Sequence, residues 1–221
     1  MTTESISYES FAAGAVWFHP PDGGEVYVVR TDEGLALIDS GLSRHRQALV
    51  EAMREAGLPP EELKLGFATH FHCDHAGGLG WWREQFGLQI VAHREAVEPM
   101  GKPDLEITGS RIPYAGFDEP FVRCPVDHPV AGGERFTLGE RTFEIEMAPG
   151  HTVSSMHIVC HDLIFVGDNV FASGGIGWMD AHWGSNPEDY VETLRRLHRH
   201  CGRWACPGHG RPFVLEQSIL D

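Results

Sequence analysis

One segment constrains this chain more than any other: Thr69-His70-Phe71-His72-Cys73-Asp74-His75-Ala76-Gly77-Gly78. Three histidines and a carboxylate stand within six positions, in the order H-x-H-x-D-H, directly after a short strand expected over Leu65–Thr69. Alternate residues of an extended chain project to one side, so His70 and His72 face together. The Gly-rich corner that follows can bring Asp74 and His75 round to a neighbouring point. Imidazole and carboxylate donors together suit zinc, iron or manganese better than magnesium or calcium. Composition points the same way, with 14 histidines in 221 residues against two lysines, Lys64 and Lys102.

Three further positions share one local pattern. His151 in Ala148-Pro149-Gly150-His151, Asp168 in Phe165-Val166-Gly167-Asp168 and His209 in Cys206-Pro207-Gly208-His209 each follow an apolar strand and a glycine. Glycine lets the backbone turn sharply and approach a neighbour closely. The three are therefore candidates for the same site as the H-x-H-x-D-H segment.

Apolar runs at Glu25–Arg30 and Leu35–Asp39, joined by Thr31–Gly34, predict a hairpin. Ser43–Ala56 reads as a helix closed by Gly57, and a second helix carries Trp81, Trp82 and Phe86. A further strand is expected over Leu88–Ala92, and Met100–Phe121, with three prolines, reads as a long irregular surface loop. The second half has the same alternation, with a hairpin over Arg135–Leu138 and Thr142–Met147, then strands at Met156–Cys160 and Leu163–Val166. Asn186-Pro187 opens a helix expected to bury Tyr190, Val191, Leu194 and Leu197. Two sets of strands punctuated by helices predict two packed sheets with helices outside, in one domain over residues 1–221. His198 and His200 are expected at the surface of a helix end, and Cys201 and Cys206 as buried thiols.

The ordered set, from Asp39 in Leu37-Ile38-Asp39-Ser40-Gly41 to Pro207-Gly208-His209, resembles the metallo-β-lactamase-fold superfamily. The resemblance implies an α/β fold, the αβ/βα four-layer sandwich, with two metals at one edge in loops at strand ends. By motif position it implies His70, His72 and His151 on the first metal, Asp74, His75 and His209 on the second, and Asp168 bridging both. Asp39 matches a family carboxylate that orders the site from behind. The implied cofactor is two divalent metal ions, zinc first, with iron or manganese as alternatives. A water bridging two such metals ionises at neutral pH and can attack an acyl carbon. One metal then polarises the carbonyl while the other stabilises the leaving group. Asp74 is expected to be catalytic, orienting the nucleophile and shuttling its proton.

A net charge of −15, from 17 basic and 32 acidic residues, argues against nucleic acid and anionic membrane as partners. No stretch has the roughly 18 apolar residues of a membrane span. The N-terminal residues show no basic or apolar leader, so the expectation is a cytoplasmic protein with reduced cysteines. Asp168 argues against a true β-lactamase, and His72, where flavodiiron proteins have Glu, argues against that branch. Hydrolases of esters, thioesters and lactones remain, beside persulfide dioxygenases with a single iron. Gly167–Gly175 resembles the segment after the bridging Asp in glyoxalase II, but Gly177 and Trp178 stand where that family holds glutathione with a cation. Phe171 stands where acyl-homoserine lactonases have their catalytic Tyr. In the related enzymes the loop Ser173–Trp183 walls the substrate cleft, so Trp178 and Trp183 are the expected substrate contacts. The expected partner is a small molecule with an uncharged or aromatic acyl group, and Met100–Phe121 is expected to close over it.

Overall fold

The structure, a computed structural model, describes residues 5–112 and 117–221. The first half runs β1 (Ser7–Ser10), β2 (Ala15–His19), β3 (Val26–Thr31), β4 (Gly34–Ile38), α1 (Arg46–Glu55), β5 (Leu63–Phe67), α2 (Cys73–Ala76), α3 (Leu79–Phe86), β6 (Gln89–His93) and α4 (Val97–Gly101). A two-stranded ribbon, β7 (Arg111–Ile112) with β8 (Phe117–Asp118), and the short β9 (His128–Val130) follow. The second half runs β10 (Arg135–Leu138), β11 (Arg141–Met147), β12 (Met156–Cys160), β13 (Leu163–Gly167), α5 (Pro187–Leu197), β14 (Trp204–Pro207), β15 (Phe213–Val214) and α6 (Gln217–Leu220).

Strands β1 to β6 and β9 pair in chain order into a seven-stranded sheet, and β10 to β15 into a six-stranded one. Both central strand runs, Leu35–Ile38 and Leu163–Val166, are apolar on both faces because each sheet is covered twice. Ile38 and Phe67 from the first sheet meet Phe143, Ile158 and Phe165 from the second. Their neighbours one step along, such as Leu37, point the other way onto Leu49, Met53, Leu79 and Trp82 of the outer helices. Ile164, Val166 and Ala205 face Leu197 and Leu215 on the opposite outside. The layers are helix, sheet, sheet and helix, the αβ/βα four-layer sandwich.

Direction positions the site. β4 and β5 are parallel, joined across α1, and β13 and β14 are parallel, joined across α5. β11 runs antiparallel to β12, and β12 antiparallel to β13, so β11, β13 and β14 share one direction. The C-terminal ends of β4, β5, β11, β13 and β14 carry Asp39, the His70–His75 segment, His151, Asp168 and His209 in turn. Cross-sheet bonds close this edge: Met156 N donates to Thr69 O at 2.9 Å, and Tyr27 Oη to Pro207 O at 2.7 Å.

Four details differ from the sequence expectation. Val191 is 45% exposed, and Thr193 takes the buried turn instead, because its hydroxyl donates to Pro149 O at 2.7 Å. His200 is buried, not a surface residue, with Nε2 3.0 Å from Glu146 Oε2. Cys201 is exposed, at a turn after the helix, while Cys206 lies inside β14 between the sheets. The stretch from Met100 to Phe121 is anchored, not one loose loop: Met100, Thr108, Ser110 and Phe121 are buried, and Cys73 N donates to Thr108 O at 2.8 Å. Positions 113–116 of that stretch lie outside the described residues.

Candidate metal centre

The H-x-H-x-D-H segment leaves β5, turns at His72 and enters α2, a single helical turn. His70 Nε2 lies 3.1 Å from His72 Nδ1 and 3.2 Å from His151 Nε2, and His151 Nε2 lies 3.0 Å from His72 Nδ1. Three ring nitrogens facing one point cannot all hydrogen bond to one another. Nitrogens around a tetrahedral zinc stand about 3.3 Å apart, so the triangle has the size of such an ion's donor face.

A second group adjoins the first. His209 Nε2 lies 3.2 Å from Asp74 Oδ2, and His75 Nε2 3.5 Å from the same oxygen. Asp168 reaches both groups: Oδ1 is 3.4 Å from His75 Nε2, while Oδ2 is 3.4 Å from His209 Nε2 and 3.8 Å from His151 Nε2. Among the described residues, His75 Nε2 and Asp168 Oδ1 are buried with no hydrogen-bond partner. Orphaned donors and acceptors of this kind are costly unless a further group completes them. These residues could hold metal ions in three overlapping sets: His70 with His72 and His151, His70 with His75 and Asp168, and Asp74 with His75 and His209.

What aims the imidazoles is behind them. Asp39, in the left-handed region at φ 57°, accepts from Thr69 N at 2.8 Å and from the Thr69 hydroxyl at 2.7 Å, and lies 3.1 Å from His75 Nδ1. The Thr69 hydroxyl, having donated to Asp39, accepts from His70 Nδ1 at 3.1 Å. His151 Nδ1 donates to Trp178 O, and His72 Nε2 donates to Asp180 Oδ2 at 2.7 Å. Each of these four rings thus has a partner for its outward nitrogen and turns its other nitrogen inward, the one a metal would take as a deprotonated ligand. Glycine makes the crowding possible. A Cβ on Gly208 would stand 2.1 Å from Asp168 Oδ1, and one on Gly177 2.4 Å from Asp168 O.

The electrostatics divide along the same line. Burial, with the neighbouring His75, His151 and His72, holds His70 well below the ordinary imidazole range. Burial, with His72, brings His151 down to about 4. Both are neutral donors. On the other side burial opposes charge, but Asp74 and Asp168 outweigh it and push His75 well up. His209, against the same opposition, rises to about 9 through Asp168 and Asp74. Burial would raise Asp74 and Asp168, yet His75 and His209 hold both carboxyls below the ordinary range.

All seven expected side chains are therefore brought together, with Asp39 behind them. Trp178 and Trp183 are not in the cluster. Trp178 is 85% exposed and offers its carbonyl, not its ring, to His151. Trp183 lines a cavity of about 470 Å3 beside Phe71, Ile107 and Val153. Sequence reasoning missed Thr69 and Asp180 as partners of the imidazoles. It also missed the Tyr190 hydroxyl, which donates toward Asp168 O (3.1 Å) and Asn169 O (3.2 Å) and secures the turn after β13.

Known proteins match this chain at the level of family and fold. A family model described as "Metallo-beta-lactamase superfamily" matches residues 19–209. The chain is similar to the acyl-coenzyme A thioesterase MBLAC2 of Homo sapiens, 29% identical over 97% of this chain and 84% of that protein. It is also similar to a hydroxyacylglutathione hydrolase of Xanthomonas euvesicatoria pv. vesicatoria, 30% identical over 85% of this chain and 61% of that protein. Among solved structures, BJP-1, a subclass B3 metallo-beta-lactamase of Bradyrhizobium japonicum, superposes with a TM-score of 0.76 at 21% identity. That match covers 94% of this chain and 79% of the other.

Proposed function

The chain belongs to the metallo-beta-lactamase superfamily, and from that premise we propose that it is a dinuclear-metal hydrolase of acyl thioesters, esters or lactones. The observation that carries this reading is the set of four imidazoles whose outward nitrogens are all partnered, which turns their other nitrogens inward beside Asp74 and Asp168. His70, His72 and His151 would hold one metal and Asp74, His75 and His209 the other, with Asp168 facing both. Zinc fits these donors first, and iron or manganese next. Two bound divalent cations would supply hydroxide at neutral pH and Lewis acidity toward an acyl carbonyl.

The chain's own groups do the rest. Asp74, partly exposed and held below the ordinary carboxyl range by His75 and His209, would accept the attacking water's proton and return it to the departing sulfur or oxygen. Trp178, Trp183, Ile176 and Met179 give the rim an apolar character suited to an uncharged acyl group. Two relatives with acyl-coenzyme A and hydroxyacylglutathione in their names make thioesters the first substrates to try. A small molecule, neither nucleic acid nor membrane, is the partner this reading requires; among the described residues no helix is long and apolar enough to cross a membrane.

The test pairs elemental analysis with a substrate screen. About two metals per chain are expected, with Asp168→Ala lowering occupancy at both positions and His209→Ala emptying mainly one. A screen of apolar acyl thioesters, lactones and β-lactams should find activity in the first two classes. One iron per chain with sulfur-dependent oxygen uptake would replace this reading with a persulfide oxygenase. Efficient turnover of S-lactoylglutathione, indifferent to either Trp, would point to a glyoxalase II-type activity instead.

A further inference from the structure

His72 is the one imidazole of the first triad whose outward partner is a charged side chain. Its Nδ1 faces His70 and His151 while its Nε2 donates to Asp180 Oδ2 at 2.7 Å. Asp180 is itself fixed from the triad, because its backbone N donates to His151 O at 2.9 Å. Two residues earlier, Trp178 O accepts from His151 Nδ1, and Gly177 N donates to Asp168 O at 2.8 Å. On the far side Ser185 Oγ donates to His151 O at 3.3 Å. The stretch 177–185, which carries both exposed tryptophans, is thus tied to the candidate centre at each turn.

We propose that Asp180 is a positioning residue of the metal centre, which through His72 couples metal binding to the order of the 177–185 loop. This rests on the reading of His70, His72 and His151 as metal ligands. A neutral imidazole that donates to a carboxylate is locked in one tautomer and is a stronger base at its other nitrogen. Here that nitrogen is Nδ1, the atom pointing at the triad. The other two members have neutral partners, the Thr69 hydroxyl and a peptide carbonyl, so among the described residues Asp180 is the only carboxylate hydrogen-bonded to an outward nitrogen of the three rings. The coupling runs both ways. A cation that fixes the His72 and His151 rings also fixes the two hydrogen bonds that hold the loop, and a loop held in place presents the rings already oriented.

The experiment compares the full-length protein with Asp180→Ala, Asp180→Asn and His72→Ala, each stripped by chelation and checked by circular dichroism. Zinc is titrated against a chromophoric chelator, cobalt(II) absorption is recorded, and hydrogen exchange of 177–185 is followed with and without zinc. Removing such a partner weakens metal affinity by about 10–100-fold, and that loss is expected for Asp180→Ala, with a shifted cobalt spectrum. Asp180→Asn keeps an acceptor oxygen without the charge, so a smaller loss is expected; it also serves if the Ala variant fails to fold. Zinc should protect the 177–185 amides in the native protein and not in Asp180→Ala. Native affinity and an unchanged cobalt spectrum in the Asp180 variants, with His72→Ala losing a metal, would overturn this proposal alone. If His72→Ala also kept its metals, the ligand reading beneath it would fall.

Discussion

On the proposed reading, Asp74 is the residue whose replacement should strike the chemistry while sparing the first metal. Its Oδ2 meets His209 and His75, which overcome burial and keep the carboxyl ionised, while its backbone O accepts from Gly24 N at 3.1 Å. It is not part of the His70, His72 and His151 triangle. Asp74→Asn, nearly isosteric, should lower kcat by about 10²–10⁴-fold, the range of a lost general base. Elemental analysis should find the first metal retained, and turnover within a few-fold of native would move the proton transfer elsewhere. The seven candidate donors were legible in the sequence because their chemistry is written in residue type: H-x-H-x-D-H, and a glycine before each of three later positions. Their supports were not. Thr69 is one hydroxyl next to a histidine, and Asp180 stands 108 residues from the ring it serves. A hydrogen bond across that separation leaves no local pattern, so only the packed sheets reveal it.

At the scale of elements, strand ends and caps were readable and side-chain direction on one helix was not. The Asn186-Pro187 start is realised, with Asn186 Oδ1 accepting from Asp189 N at 2.9 Å. A helical period puts Val191 inside, yet α5 meets the sheet through polar bonds from Tyr190, Thr193 and Arg196 to backbone oxygens at the ends of β11 and β13. Apolar periodicity cannot see a face that pairs by hydroxyl and guanidinium. The loop between β13 and α5 is the element on which substrate selection would rest. Trp178→Ala and Trp183→Ala should each raise KM severalfold for an apolar acyl thioester, consistent with about 1 kcal/mol per lost aromatic contact. The change should spare kcat and metal content, because the loop's ties to the centre run through the Trp178 carbonyl, Asp180 and Gly177 and use neither indole. Steady-state kinetics on a chain-length series checks this, and unchanged KM in both variants would remove the loop from the cleft.

At the scale of the whole molecule, α5 is clasped to the second sheet beside the site, and the charges in that clasp predict acid sensitivity. Glu146 on β11 receives Arg199 at 2.6 Å and His200 at 3.0 Å, just past the C-terminus of α5. Burial acts to raise Glu146 from its ordinary 4.5, but His200 and Arg199 outweigh it and bring it down to about 2. A carboxyl depressed in the fold contributes stability that is complete above its unfolded value and is lost as pH falls from about 4.5 toward about 2. His157 pairs with Glu146 across the β11–β12 ladder and is fully enclosed; burial lowers it from 6.5 to about 3. The unfolded chain takes up that proton first, so this contribution is present above 6.5 and fades as pH falls toward 3. Both groups therefore destabilise the fold in the same direction. Urea unfolding of the chelated protein should show stability falling from pH 6.5 downward and more steeply below pH 4.5. Glu146→Gln should cost roughly 1–2 kcal/mol at pH 7, a charged hydrogen bond discounted for the half-exposed Arg199. The gap between the two proteins should narrow below pH 4.5 and close toward about 2, where the carboxyl is protonated in the unfolded chain and becomes so in the folded one. A constant gap across that range would mean that the pair contributes shape and not charge. In that case acid inactivation would have to begin at the metal centre, which retention of α5's hydrogen-exchange protection at low pH would then confirm.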